Sequence, residues 1–224
     1  MIIKELVLFT NRLEAEKEFY AEKLGCPLLN ESDSIFSVQI GISQLTFKSS
    51  SKAHSYHYCF LIPTNQLHSA IGWLEKKLEI IQIKKGRYVQ RFDSWNAESV
   101  YFYDASGNVA EFIVRHDLKN SQSGEFSASK ILSINEIGIP AKNVAQLNTQ
   151  IENELETKFW KGDLQRFGTN GDQHGLFIIP NYNMKTEWFP TQLKIEPSEF
   201  SAIIENDKRS YSLNFQNEKL TISR

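Results

Sequence analysis

The chain has 224 residues, 41% of them apolar, enough to bury the core of one large domain or two small ones. Its 25 basic and 27 acidic residues nearly cancel and form no basic block, which leaves a small molecule, rather than nucleic acid or an anionic membrane, as the expected partner. Cys26 and Cys59 lack metal-ligand or CxxC spacing, no charged-then-apolar leader opens the chain, and no apolar run reaches the roughly 20 residues that span a bilayer; a reducing cytoplasm is the expected setting.

The opening IIKELVLFT alternates as a strand, with Ile3, Glu5, Val7 and Phe9 on one face and Lys4, Leu6 and Leu8 on the other. Asn11, with Glu14 three residues on, reads as a helix cap, and Leu13, Tyr20 and Leu24 share a helical face until Gly25 ends it. SIFSVQIG and ISQLTFKS around Gly41 predict an antiparallel hairpin. The pattern restarts at HYCFLIP, from His57, with Asn65 as cap and Leu67, Ala70, Ile71, Leu74 and Leu78 at helical spacing, then strand-like LEIIQI. This second unit closes with YFYDASGNVAEFIV, two β-rich runs around the turn-forming DASGN. Glu111 lies between Val109 and Ile113 on the return strand. A buried, unpaired carboxylate costs roughly several kcal/mol, so Glu111 must face water, pair with a cation or hold a metal.

After a Ser-rich stretch the pattern starts a third time, with ILSINEIGIP as strand, Asn143 as cap and Val144, Leu147, Ile151 and Leu155 as helix face. Short β segments follow: HGLFIIP, TQLKI, SYSLNF and KLTI. The fold class this implies is α+β, with tandem βαβββ units forming a curved mixed sheet around a cavity and a third, less typical unit at the C-terminus. The expected boundaries are a paired domain at 1–117, a linker at 118–130 and the additional unit at 131–224. With no fourth unit to match it, the third is expected to pack on the first domain or to meet a second copy in a homodimer.

The pieces KELVLFTNRLEAEKEFYAEKLG, YHYCFLIP and above all YFYDASGNVAEF resemble the vicinal oxygen chelate superfamily, which includes glyoxalase I, the fosfomycin and bleomycin resistance proteins and extradiol dioxygenases. The resemblance covers residues 1 to about 116 well and 131–224 loosely, through EIGIP, GDQHGLFIIP and EWFPT. It implies a divalent metal (Zn, Mn, Ni, Co or Fe) between paired units. The matching ligand positions are Glu5, where the family commonly has His or Gln; Gln44, where glyoxalases have Glu; His57; and Glu111. It further implies a metal-dependent isomerase or lyase acting on a small oxygenated substrate through an enediolate or oxyanion, with Glu111 or Glu5 moving the proton. Glu5 departs from the His that extradiol dioxygenases need. The bleomycin resistance members supply the alternative, a metal-free binding protein. Glu136 is the third unit's analogue of Glu5 but is set aside for want of a fourth unit, and His174 lacks a partner. No GxSxG, P-loop or GxGxxG stands in the proper context.

Overall fold

The computed structural model describes residues 1–224. The first unit comprises β1 (Ile2–Thr10), α1 (Leu13–Lys17, continued as a π-helical turn over Glu18–Lys23), β2 (Leu28–Ser32), β3 (Ile35–Ile40) and β4 (Ser43–Ser49). The second comprises β5 (His57–Leu61), α2 (Leu67–Glu75), β6 (Gln90–Phe92), β7 (Ala97–Tyr103) and β8 (Val109–Arg115), and the third β9 (Ser133–Gly138), α3 (Val144–Leu155), β10 (Phe159–Gly162), β11 (Phe167–Asp172) and β12 (Gly175–Pro180). A meander of β13 (Phe200–Asn206), β14 (Arg209–Gln216) and β15 (Lys219–Ser223) ends the chain. The βαβββ repeat is therefore as expected, and in each unit the last strand runs parallel to the first.

The pairing between units is not the expected one. The first strands that meet are β5 and β9, antiparallel, joining the second unit to the third in the order β6-β7-β8-β5-β9-β12-β11-β10. β1 instead pairs antiparallel with β13, so the C-terminal meander completes the first unit's sheet. The two halves touch in sheet register only at Ile3 and Ile134. A paired domain at 1–117 is thus not formed by strand pairing; residues 118–130 connect two units of one sheet, and the extra unit ends at β12. Each unit has an open first-strand edge, and the long third segment lets β9 reach β5 while β13 returns to β1.

A β-bulge in β1 places Ile3 in the core with Leu6 and Leu8, where strict alternation puts it on the opposite face. Asn143 caps α3, accepting from the Gln146 amide at 3.0 Å. Asn11 and Asn65 do not cap: Arg12 and Gln66 precede their helices without a side-chain bond, and Asn65 binds Gln122 instead. LEIIQI contributes only an isolated bridge at Ile80, and TQLKI one at Lys194.

The first unit's helix packs against the second unit. Phe19 stacks on Phe102 at 6.4 Å, and the Tyr20 and Tyr58 hydroxyls lie 2.5 Å apart within one core of 42 buried residues. On the same helix Glu16 is fully buried. Its Oε1 accepts from the Ser106 amide at 2.8 Å, and its carboxyl lies against that of Asp104, which also receives the Tyr58 hydroxyl at 2.5 Å. Burial first, and then the Asp104 charge, push Glu16 up to about 9; burial likewise raises Asp104. No helix is long and apolar enough to cross a membrane.

Candidate metal centre

The turn Asp104 to Asn108 is held by its own side chains. Asp104 Oδ1 accepts from the backbone amides of Ser106 at 2.9 Å and Asn108 at 2.8 Å, and Asn108 Oδ1 accepts from the Tyr56 amide at 2.9 Å. That last bond ties the turn to the start of β5 and fixes the parallel register, with His57 opposite Val109 and Cys59 opposite Glu111. His57 and Glu111 consequently stand on one face, with His57 Nε2 3.3 Å from Glu111 Oε2. The other ring nitrogen, Nδ1, lies 3.1 Å from the Val109 carbonyl, a bond that orients the imidazole when Nδ1 carries the proton.

The third member comes from β9. A bulge at Asn135 leaves Glu136 opposite Cys59 and turns both Asn135 and Glu136 toward Arg115. His57, Glu111 and Glu136 are all buried and offer donor atoms within 4.8 Å of one another. Imidazole and carboxylate donors at this spacing fit a borderline divalent ion. By the register offset that relates His57 to Glu111, the matching position on β12 is Ile178, which is apolar and lines the same pocket. The donor set is therefore three protein groups, a number that leaves coordination positions for substrate.

Arg115 is fully buried. Its Nε donates to Asn135 Oδ1 at 2.9 Å, it pairs with Glu136, and its guanidinium lies against the edge-to-face pair of Trp95 and Trp160, 5.6 and 5.3 Å from their ring centroids. Burial and the Glu111 charge push Glu136 up to about 7 against the pull of Arg115 and His57. Above these groups lies a cavity of about 130 Å³ walled by aromatic side chains. Its cover is the segment between β12 and β13, which supplies Lys185, Trp188 and Phe189; the Trp188 ring centroid is 5.1 Å from that of His57. Trp188 can sit there because residue 138 is glycine, and a β-carbon at that position would overlap the indole. Gly138→Ala is expected to displace Trp188, cost about 1–3 kcal/mol and red-shift tryptophan emission; unchanged emission and melting would contradict this seating.

The expected ligand set divides. His57 and Glu111 are brought together, but Glu5 and Gln44 are placed elsewhere, on β1 and β4 of the other half-sheet. Gln44 Nε2 there donates to Thr46 Oγ1 at 3.1 Å, Ser37 Oγ at 3.3 Å and Glu5 Oε1 at 3.4 Å. Glu5 lines a separate cavity with Lys48 and hydroxyls of the meander. The reason is the β5 to β9 pairing: the partner of the second unit is the third, so Glu136 takes the place assigned to Glu5. Sequence reasoning reached Glu136 as an analogue and lost it by counting units. For Trp188 the only signal was the aromatic EWFPT, and for Lys185, two residues before it, there was none.

No family model matches the sequence, and no curated protein matches it. Among solved structures, a proposed dioxygenase from Bacillus subtilis subsp. subtilis str. 168 overlays 99% of this chain and 84% of its own with a TM-score of 0.59 at 13% identity. The chain shares this fold, the one implied by its resemblance to the vicinal oxygen chelate superfamily. A glyoxalase I variant from Zea mays shares it, overlaying 80% of this chain and 66% of its own with a TM-score of 0.53 at 12% identity.

Proposed function

We propose that the chain is a metal-dependent enzyme of isomerase or lyase type that acts on a small oxygenated substrate between its second and third units. One observation carries this reading: three buried donors, His57, Glu111 and Glu136, converge at the floor of an aromatic pocket. A divalent ion held by them would polarise neighbouring substrate oxygens and stabilise negative charge developing there. The chain's own residues supply the rest. His57 is oriented by the Val109 carbonyl, and Arg115 holds one oxygen of Glu136 in place. Glu111 has no Lys or Arg partner, its Oε2 stands beside His57 Nε2, and it is the group we assign to move the proton. Trp188 and Tyr101 flank the imidazole and exclude water. Glu5, the other proton carrier suggested by family resemblance, has no part in this assignment.

The dioxygenase reading is not weakened by Glu5, which lies outside the site. One His with two Glu nevertheless differs from the two His and one carboxylate of non-haem iron oxygenases. Metal-free binding is favoured by a different observation, since His57 with Glu111 and Arg115 with Glu136 form two closed pairs that need no ion. Elemental analysis of protein made with ample metal supply separates these. One divalent ion per chain, lost in His57→Ala and Glu111→Ala, is the expected result, and Glu111→Gln should abolish isomerase or lyase turnover without unfolding the chain. Metal-free wild-type protein that still binds ligand in the presence of chelator would replace this reading with the binding one.

A further inference from the structure

The ionisable Lys, Arg, His and carboxylate groups that line the candidate pocket are His57, Glu111 and Glu136 at its floor and Lys185 in its cover. Lys185 is half-buried, and no carboxylate lies within salt-bridge reach of it. Its Nζ donates to one backbone carbonyl, that of Glu187, at 2.5 Å and lies 5.9 Å from the Trp188 ring centroid. An ammonium has three donors, so Lys185 has capacity left over. It also lines an outer cavity together with Arg166 and Glu187, and thus stands between solvent and the floor. Burial, and then the Arg166 charge, lower Lys185 to about 8 against the opposing pull of the Glu187 carboxylate, and an incoming anion would act in the same sense as Glu187.

We propose that Lys185 is the carboxylate-recognising group of this site and that the substrate is a small organic acid, with its oxygenated carbon at the His57, Glu111 and Glu136 end and its carboxylate at the Lys185 end. The inference rests on the placement of the active site proposed above and adds the substrate class. Size supports a small acid: about 130 Å³ is close to the cavity of about 150 Å³ that holds a benzene ring. Aromatic walls suit a planar body, and a single lysine ammonium suits one carboxylate. Placing the carboxylate on the cover would also keep it away from the two floor carboxylates, which would repel it.

The test is binding, read by tryptophan fluorescence, of two acids and their neutral counterparts: benzoate against benzamide, and 2-oxobutanoate against 2-oxobutanamide. It is run on protein as purified and after chelator treatment, with metal content measured in parallel. Each acid is expected to bind about tenfold tighter than its neutral counterpart, the scale of one charge-assisted hydrogen bond. Lys185→Met should remove that preference without changing metal content or melting temperature, and Lys185→Arg should restore it. Equal binding of acid and neutral partner, a preference that survives Lys185→Met, or no saturable binding of either acid would overturn the proposal. An acid preference dependent on Lys185 in protein that takes up no metal would uphold it while defeating the metal-enzyme reading. Bound metal with no acid preference would do the reverse.

Discussion

Replacing Arg115 with methionine is expected to destabilise the protein by about 3–5 kcal/mol, the usual cost of removing one partner of a buried ion pair. Arg115 and Glu136 are both buried, and Arg115 also satisfies Asn135, so the change strands a carboxylate and an amide. It also removes the cation that rests against Trp95 and Trp160. At about 2–4 °C per kcal/mol for a chain of this size, the melting temperature should fall by on the order of 6–20 °C. Adding Glu136→Gln to Arg115→Met should recover much of the loss, because the stranded charge is then gone. Additive destabilisation in the double variant would mean that the two side chains contribute independently and that the pair is not the source of the effect.

Glu16→Gln is expected to stabilise the protein at alkaline pH and to flatten its pH dependence. The Glu16 carboxyl is raised to about 9 in the folded chain from 4.5. Between those values the folded state keeps a proton that the unfolded chain has released. The stabilising contribution is therefore complete below pH 4.5 and is lost as pH rises through 9, at up to about 1.4 kcal/mol per pH unit. Asp104, in contact with Glu16 and itself raised by burial, acts in the same direction. Glutamine preserves the acceptor for the Ser106 amide and presents an NH2 to Asp104 without having to hold a proton. Urea midpoints from pH 5 to 9 should decline steadily for the wild type and much less for the variant, the two curves separating most at the alkaline end. Parallel curves would show that Glu16 does not titrate within the fold.

His57 and Glu111 could be read from sequence because they belong to one local device. The DASGN turn ties itself to the strand that carries His57, and every residue involved lies within the second unit. Glu136 was visible as a residue but not as a partner. Strand alternation says which face a side chain takes, whereas which unit's edge meets which is decided by the length of connecting chain and by the sum of all packing. The bulges illustrate the same limit. Lys4 before Glu5 and Asn135 before Glu136 interrupt the alternation at matching places in β1 and β9, and a period-2 reading passes over both. Lys185 and Trp188 depend on how a segment without regular strands settles over Gly138, a contact between residues on different elements that no local pattern encodes.

The β1 to β13 pairing makes order of synthesis matter. β1 is synthesised well before β13, yet one of its edges waits for residues 200–206. β5 waits in the same way for β9. Throughout that interval the nascent chain carries two unsatisfied, largely apolar strand edges, the kind of surface that recruits neighbouring chains. A piece cut at residue 117 would keep both edges open permanently and would lack Glu136 as well. Any piece for expression, dissection or circular permutation must accordingly keep β1 with β13 and β5 with β9, and its quality in a cell depends on how well those two edges are shielded until their distant partners arrive.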